Sequence, residues 1–377
     1  MKHLYLAYLS YEVNTAGTNR IVAYIKSLSN LGIRTTVVFF LPDVNFSKFS
    51  QKHNLVDFIY CWEFYCPKTK IGRVLALKFY YKWFRSILKR GDNVFVYGQV
   101  NLIHELVKKS GINIYNEMTE HPEAIGYRNP ITSVSWYKYY EDCKRLSGLF
   151  VISTGLKDFY INKGIASEKI VIVNMTVDPS RFVNLKKSDS EKYIAYCGTA
   201  INNKDGVDEL IKSFGIFAKS NQDYKLYIIG PKIGNVDMVK NMDIVNEFGI
   251  ADRVVLTGVI PAERIPQVLL NARALVLDRP NNIQSIYGFP TKLGEYLLTG
   301  NPVVVTRVGD IDKFLQDGKS ALIAEPNNAT DFSAKLLWVI NNPDKAKQIG
   351  ERGKMVALKS FNAGTETRKI INFIFKD

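Results

Sequence analysis

Apolar positions along this chain follow two alternating rhythms. Short runs at Leu4–Leu9, Thr35–Phe40, Asn93–Tyr97, Asn113–Tyr115 and Leu149–Ile152 read as buried strands in the first half. Longer segments with helical spacing lie between them, such as Asn19–Leu31, which Gly32 closes. The second half repeats the alternation. Strands are expected at Tyr193–Cys197, Lys225–Ile229, Val254–Thr257, Ala274–Leu277 and Pro302–Thr306. The helices that follow them are Val207–Lys219, Val236–Phe248, Ala262–Asn271 and Thr291–Leu298. In the stretch Gly288–Thr306, Pro290 opens a helix, and Gly300 with Pro302 ends it. Val303, Val304 and Val305 then form an unbroken apolar run, as a strand buried on both faces requires. A βαβα order predicts parallel sheets with helices on both faces. Two such sheets suit 377 residues better than one. The polar segment NLKKSDSEK, 184–192, reads as the linker. It separates an α/β domain over 1–183 from a second over 193–355, with the last helix, about 356–377, packing back on the first.

Ligands of such sheets bind beyond the carboxyl ends of the strands, so the residues just after each strand come first. NTAGTNR, 14–20, follows the first strand. Gly17 permits close backbone approach there, and Thr18 or Asn19 can cap the next helix. One glycine is not a dinucleotide fingerprint. After Cys197, the small residues Gly198, Thr199 and Ala200 can turn N–H groups toward an anion, with Lys204 close behind. The plainer reading is a solvated lysine beside a capping Asp205. GPKIG, 230–234, is again small and basic. DRPNNIQSIYGFPTK, 278–292, is a long polar loop, which in a compact domain suggests function. Lys292 stands in the first turn of a helix, where acids are normally favoured. Glu295, three residues on, shares its face. The two would make an ordinary salt bridge, or they would serve a ligand: Lys204 and Lys292 the diphosphate of a nucleotide, Glu295 its ribose. YNEMTEHPEAIG, 115–126, packs three acids and a histidine into one loop. Either Glu120 and His121 work on a substrate, or Glu117 and Glu120 cap a turn and His121 is a packing residue.

The combination resembles one family. YCGTA, NKDGVDELI, YIIGP, VVLTGVI, FPTKLGEYLLTGNPVVVT and IDKFLQDGKSALIAEPN are similar to the nucleotide-binding half of retaining glycosyltransferases of family 4. GLFVISTGLKDFYINKGI and KIVIVNMTVD are similar to the segment that leads into that half. The resemblance implies the GT-B fold: α/β, two Rossmann-like doubly wound domains facing a cleft. It implies transfer of a sugar from a nucleotide diphosphate-sugar, of UDP or GDP type, to a glycan or lipid-linked glycan, in surface polysaccharide synthesis. Anomeric configuration would be retained, without cofactor or metal. By the same resemblance Lys204 contacts the donor diphosphate, and Glu295 is the second glutamate of the Glu-x7-Glu motif and holds the ribose. Gly288, Phe289, Pro290 and Thr291 offer backbone groups to phosphate or sugar, and Val259 and Ile260 lie near the base. Glu120 and His121 approach the transferred sugar or acceptor. Two positions depart from the pattern. Tyr287 stands where the motif's first glutamate belongs, leaving its sugar-binding role to Ser285 or Gln284. Thr199 and Ala200 stand where a phosphate-binding arginine is expected, leaving that role to Arg279.

Composition narrows the field. No apolar run approaches the ~18 residues of a membrane span. Met1–Ser10 is too short for a signal peptide and reads as the first strand. Four cysteines and four histidines show no zinc spacing, so the thiols are expected to be buried and reduced, and the protein cytoplasmic. Net charge is +14, of which residues 1–180, with 23 basic and 14 acidic side chains, carry +9. Such a charge calls for an anionic partner. Residues 64–91 hold eight basic side chains and no acid. Within 71–90, Lys78, Lys82, Arg85 and Lys89 fall on one helical face and Ala76, Phe79, Trp83 and Ile87 on another. That is the pattern of an interfacial helix on the inner face of an anionic membrane, or of a solvated helix packed on its own sheet. No nucleic-acid module is recognisable. A nucleotide-sugar 2-epimerase and a catalytically inactive nucleotide-binding protein are the competing readings.

Overall fold

The computed structural model describes residues 2–10, 15–42, 48–49, 52–66, 69–125, 133–188, 191–231 and 235–376. Asn14, Gly126, Asp189, Ser190 and residues 232–234, which belong to segments named above, lie outside them. The chain divides into two compact units, Met1–Asn174 with Ala363–Asp377, and Met175–Asn362.

The first unit is built on seven strands: β1 (His3–Ser10), β2 (Arg34–Leu41), β3 (Val56–Tyr60), β4 (Asn93–Tyr97), β5 (Asn113–Met118), β6 (Gly148–Val151) and β7 (Ile170–Ile172). They run in the order β3-β2-β1-β4-β5-β6-β7, and every neighbouring pair is parallel. The strand order therefore reverses between β1 and β4. Edge strands β3 and β7 escaped the sequence reading; β3 is mostly half-buried or exposed, and β7 is three residues long. Strand β5 runs three residues further than expected. Glu117, assigned above to a loop, is inside it and fully buried, so neither a loop nor a cap describes it.

What lets a carboxylate sit there is Arg20, from helix α1 (Ala16–Asn30). Its Nε and Nη2 donate to Glu117 Oε1 at 2.9 and 2.5 Å, and Tyr24 Oη adds a third bond at 2.9 Å. Two more guanidinium hydrogens go to the carbonyls of Val173 and Asn174, at 2.9 and 2.7 Å. Burying an unpaired charge costs several kcal/mol, so these five bonds are a condition of the strand's placement. The helix Ala363–Ile374 completes this core. Ile370, Ile371 and Ile374 pack among Leu4, Phe39 and Phe150, and Phe373 fills the space a Cβ at Gly148 would need.

The second unit holds β8 (Tyr193–Cys197), β9 (Lys225–Ile229), β10 (Val254–Gly258), β11 (Ala274–Leu277), β12 (Val303–Thr306) and β13 (Leu322–Ala324). Their order is β10-β9-β8-β11-β12-β13, all parallel, reversing between β8 and β11. Every residue of β12 is buried, as the valine run predicts. Within the polar stretch, residues 184–188 do not stand apart as a linker. Lys187 Nζ donates to Ala272 O and Asn301 Oδ1, at 3.0 and 2.8 Å, and the Ser188 amide to Asn271 Oδ1 at 2.9 Å. These bonds fasten the stretch to the second unit, and the crossings between units fall instead at 174/175 and 362/363.

Replacing Arg20 by Met leaves the Glu117 carboxylate buried without its counter-charge. Stability of the first unit is expected to fall by about 3–5 kcal/mol. Urea unfolding followed by tryptophan fluorescence checks this, since Trp62, Trp83 and Trp136 lie in that unit. Exchanging both partners, Arg20→Met with Glu117→Leu, should recover most of the loss.

Candidate functional site

In a doubly wound sheet the ligand crevice lies where the strand order reverses. In the second unit that point is flanked by Gly198, after β8, and by Asp278 and Arg279, after β11. The helix Thr291–Leu298 begins close by. Its N-cap is Pro290, with no side-chain cap and no acid in the first turn, so its first amides and its partial positive charge are left unsatisfied by its own sequence.

Lys292 lies in that turn but does not pair with Glu295. Its Nζ bonds to Asp205 Oδ2 at 2.8 Å and to Tyr196 Oη at 3.0 Å, and Tyr196 Oη donates in turn to Asp205 Oδ2 at 2.7 Å. The expected i,i+3 salt bridge is thus replaced by a long-range one. Asp205 does not cap: it is 3% exposed, and no side chain caps the helix after it. Burial alone would raise the Asp205 carboxyl. The Lys292 charge and bond overcome it and hold the group below its ordinary value, helped by Tyr196 and Arg279. Burial pulls the Lys292 ammonium below its ordinary value, and Asp205 opposes it. Gly198 makes room for this arrangement: a Cβ there would run into Lys292 Nζ and Cε and into Tyr196 Oη.

Arg279 is 3% exposed. Its Nε donates to Lys204 O at 3.1 Å, and its own carbonyl accepts from Thr306 Oγ1 at 2.8 Å. Its charge acts on both Asp205 and Lys292. Asn282 Nδ2 donates to Asn203 O at 2.6 Å. The loop after β11 is therefore sewn to the one carrying Lys204. Burial pushes the neighbouring Asp278 carboxyl up to about 8, against a hydrogen bond from Ser213. Protonated at neutral pH, it cancels none of the charge. Arg279 and Lys292 thus stand against Asp205 as the one ionised carboxylate of the cluster among the described residues, and Lys204 lies on the loop whose backbone Arg279 binds.

Glu295 faces Arg181, from the turn Pro179–Phe182, through an ion pair on Oε1, and Arg181 Nη2 also holds Ala262 O at 3.1 Å. The pair is about a quarter exposed on each side. The loop 278–292 is not structureless: Asn282 caps a short helix, Ile283–Tyr287, whose Ser285 Oγ is buried without a partner. Gly288 N closes that helix on Gln284 O at 3.0 Å, Phe289 and Pro290 are buried, and Thr199 and Thr291 are exposed. Tyr287 is half-buried at the helix end, and Val259 is exposed.

In the first unit, Gly17 sits inside the first turn of α1. The cap is Thr15, whose Oγ1 accepts from Thr18 N at 3.2 Å, rather than Thr18 or Asn19. The space beside Gly17 is taken by Tyr8 Oη and the Tyr97 ring. His121 is 4% exposed, its ring edge-on to Phe159 at 4.3 Å, and Nδ1 accepts from Glu123 N at 3.2 Å. Burial lowers its pKa, so it is neutral at neutral pH. Glu120 next to it is half-buried. Cys66 is exposed rather than buried. Among the described residues, no three metal-ligating side chains gather, and no helix is long and apolar enough to cross a membrane.

Residues 178–356 match the family model of glycosyl transferases group 1. The match lies wholly in the second unit and contains the whole cluster around Lys292. An uncharacterized glycosyltransferase of Methanocaldococcus jannaschii is 39% identical over 72 residues, 19% of this chain and 20% of that one. A GDP-mannose-dependent mannosyltransferase acting on phosphatidylinositol monomannoside, from Mycolicibacterium smegmatis, is 22% identical over 188 residues, 49% of this chain and 48% of its own. The chain thus spans half or less of the length of these curated relatives. The solved structure of Anabaena HepE with UDP and glucose superposes with a TM-score of 0.75 at 14% identity, covering 100% of both chains. The fold is GT-B, α/β with two parallel sheets. The names of these relatives favour a transferase over the epimerase reading.

Sequence reasoning missed Asp205 as a partner of Lys292, and it missed Tyr196 and Arg181. The only signal was a lysine in a helix's first turn without a local acid. Asp278 gives a test of the burial argument. Its carboxyl ionises less readily in the folded chain than near 4, the ordinary unfolded value. The stability it contributes is therefore full below about pH 4 and is lost as pH rises toward 8. Asp278→Asn should unfold with a midpoint that falls less between pH 5 and pH 8 than the wild type does. Thermal melts followed by circular dichroism at both pH values measure it, and equal slopes would refute the assignment.

Proposed function

We propose that the protein is a retaining glycosyltransferase that takes a sugar from a UDP- or GDP-sugar. The acceptor is the hydroxyl of a glycan or lipid-linked glycan, in surface polysaccharide synthesis. A lipid-linked acceptor would bring it to the inner face of the membrane. The observation that carries the reading is the cation cluster at the β8/β11 reversal. Arg279 and Lys292 face one ionised acid beside an uncapped helix start, with Lys204 on the loop that Arg279 binds. A diphosphate is the ligand whose charge and size such a cluster fits.

In the reaction the bond from the sugar's anomeric carbon to the diphosphate oxygen breaks. A bond to the acceptor oxygen forms, the acceptor hydroxyl loses its proton, and the electron pair leaves with the diphosphate. Lys204 and Lys292, with the first amides of Thr291–Leu298, stabilise the charge that grows on the leaving group. Lys292 is held ready by Asp205 and Tyr196 and changes partner when phosphate arrives. Glu295 keeps Oε2 for the ribose hydroxyls while Arg181 fixes Oε1. Ser285, with its unpartnered Oγ, takes the place of the glutamate that Tyr287 replaces, and contacts the donor sugar. Gly288, Phe289, Pro290 and Thr291 border the phosphates, and Gly198 and Thr199 line their other side. Glu120 and His121 serve the transferred sugar or the acceptor, and Gly17 the donor.

Calorimetry with UDP, GDP and ADP tests the reading. One of them should bind selectively. Lys292→Met should weaken it about ten- to a hundredfold, the worth of one hydrogen bond to a charged group, and Glu295→Ala should weaken it as well. If none of the three binds the wild type, the transferase reading fails.

A further inference from the structure

Helix α2 (Lys70–Ile87) carries two apolar stripes. Ala76, Tyr80, Phe84 and Leu88 are buried, with Phe84 against Phe40 and Tyr5, so this stripe is the one that packs on the sheet. The second stripe is Ile71, Leu75 and Phe79, exposed to 76%, 60% and 58%. These residues are four apart and line the helix for about 12 Å, at 1.5 Å per residue. Phe64 and Tyr65, each 58% exposed, stand just before the helix, and the Phe64 ring lies 5.0 Å from that of Trp83. Of the 17 exposed large apolar side chains among the described residues, these five crowd into sixteen positions, whereas the rest are scattered. Scattered ones need no explanation, but a contiguous patch does.

The charge around the patch identifies its partner. Lys78 and Lys82 lie on the same arc of the helix as Ile71 and Leu75, are exposed, and have no carboxylate partner among the described residues. Behind them opens a groove of about 500 Å³, with Leu77, Tyr81 and Val134 as its apolar wall and Lys78, Lys82 and Lys108 at its rim. Its one acid, Glu105, is already paired with Arg85 at 2.8 Å and Lys108 at 2.7 Å. Aliphatic side chains interleaved with unpaired lysines suit an interface that is oily below and anionic above. A second copy of the chain suits it less, because a two-fold contact would set these lysines against their own copies. Phe64, Tyr65 and Phe79 offer rings to a base, but the aliphatic Ile71 and Leu75 that share the lysines' arc offer a nucleic acid neither stacking nor hydrogen bonds.

We infer that this face of α2 docks on an anionic lipid bilayer. Ile71, Leu75 and Phe79 enter the acyl boundary, while Lys78 and Lys82 meet the headgroup phosphates. The inference rests on the first unit alone and holds whether or not the second binds a nucleotide.

Co-sedimentation with vesicles of phosphatidylcholine, with and without phosphatidylglycerol, tests it on the full chain. The wild type should pellet with the anionic vesicles and stay in solution with the neutral ones, and high salt should release it. Each basic side chain near such a surface is worth about 1 kcal/mol, so Lys78→Gln with Lys82→Gln should lower the partition about thirtyfold. Leu75→Glu with Phe79→Glu should abolish it. All four side chains are exposed, so the melting curves should be unchanged. Vesicle binding that survives both double variants would overturn the assignment of this face. No vesicle binding by the wild type would overturn the proposal outright. So would a dimer, seen by analytical ultracentrifugation, that Leu75→Glu with Phe79→Glu dissociates.

Discussion

The second unit's functional end depends on one interaction, the Lys292–Asp205 pair closed by the Tyr196 hydroxyl. A lysine in the first turn of a helix is disfavoured by the helix dipole, and a nearly buried aspartate is disfavoured by desolvation. Each becomes tolerable because of the other. The pair also dictates its surroundings. A side chain at position 198 would push the Lys292 ammonium and the Tyr196 hydroxyl from their places, which glycine leaves open. Gly206, at φ +63°, has to turn left-handed with Asp278 O pressed against it, so that Asp205 ends one helical turn and Val207 begins the next.

Around that pair the chain departs from the pattern of the family it resembles, and the departures fit together. No arginine follows Gly198. Arg279 instead enters from the opposite side of the strand reversal and binds the backbone of Lys204. Placing cations on two strands that flank a reversal point gathers positive charge from loops distant in sequence. The parallel sheet permits this because it collects all of its carboxyl ends along one edge. Asp278 shows the same economy of charge. Burial keeps it protonated, so it can close a hydrogen bond with Ser213 without opposing the cations beside it.

The first unit handles charge differently. Its buried ion pair, Arg20 with Glu117, is joined by a tyrosine hydroxyl on Glu117 Oε1 and by backbone carbonyls on the guanidinium, so it ties strand β5 to the chain near Asn174. The loose positive charge is on the outside, along α2. There two lysines share a face with three uncovered apolar residues, an arrangement that water alone does not favour.

Periodicity in the sequence determined most of the architecture. Strands Asn93–Tyr97, Tyr193–Cys197, Lys225–Ile229 and Ala274–Leu277 and the helix Thr291–Leu298 were legible to the residue, because burial between layers imposes local patterns of 2 and 3.6. That Lys292 and the glycine after β8 are structurally out of the ordinary was legible too, since helix starts and strand ends have their own chemistry. Pairing was not. Whether Lys292 meets Glu295 three residues on or Asp205 eighty-seven residues back depends on which loops the sheet order brings together, and no local pattern encodes that. The same limit hid Arg181 behind Glu295, Arg20 behind Glu117 and the attachment of 184–192. It also hid the buried side of α2: of the apolar face read as Ala76, Phe79, Trp83 and Ile87, only Ala76 is buried, in a stripe with Tyr80 and Phe84, while Phe79 is exposed.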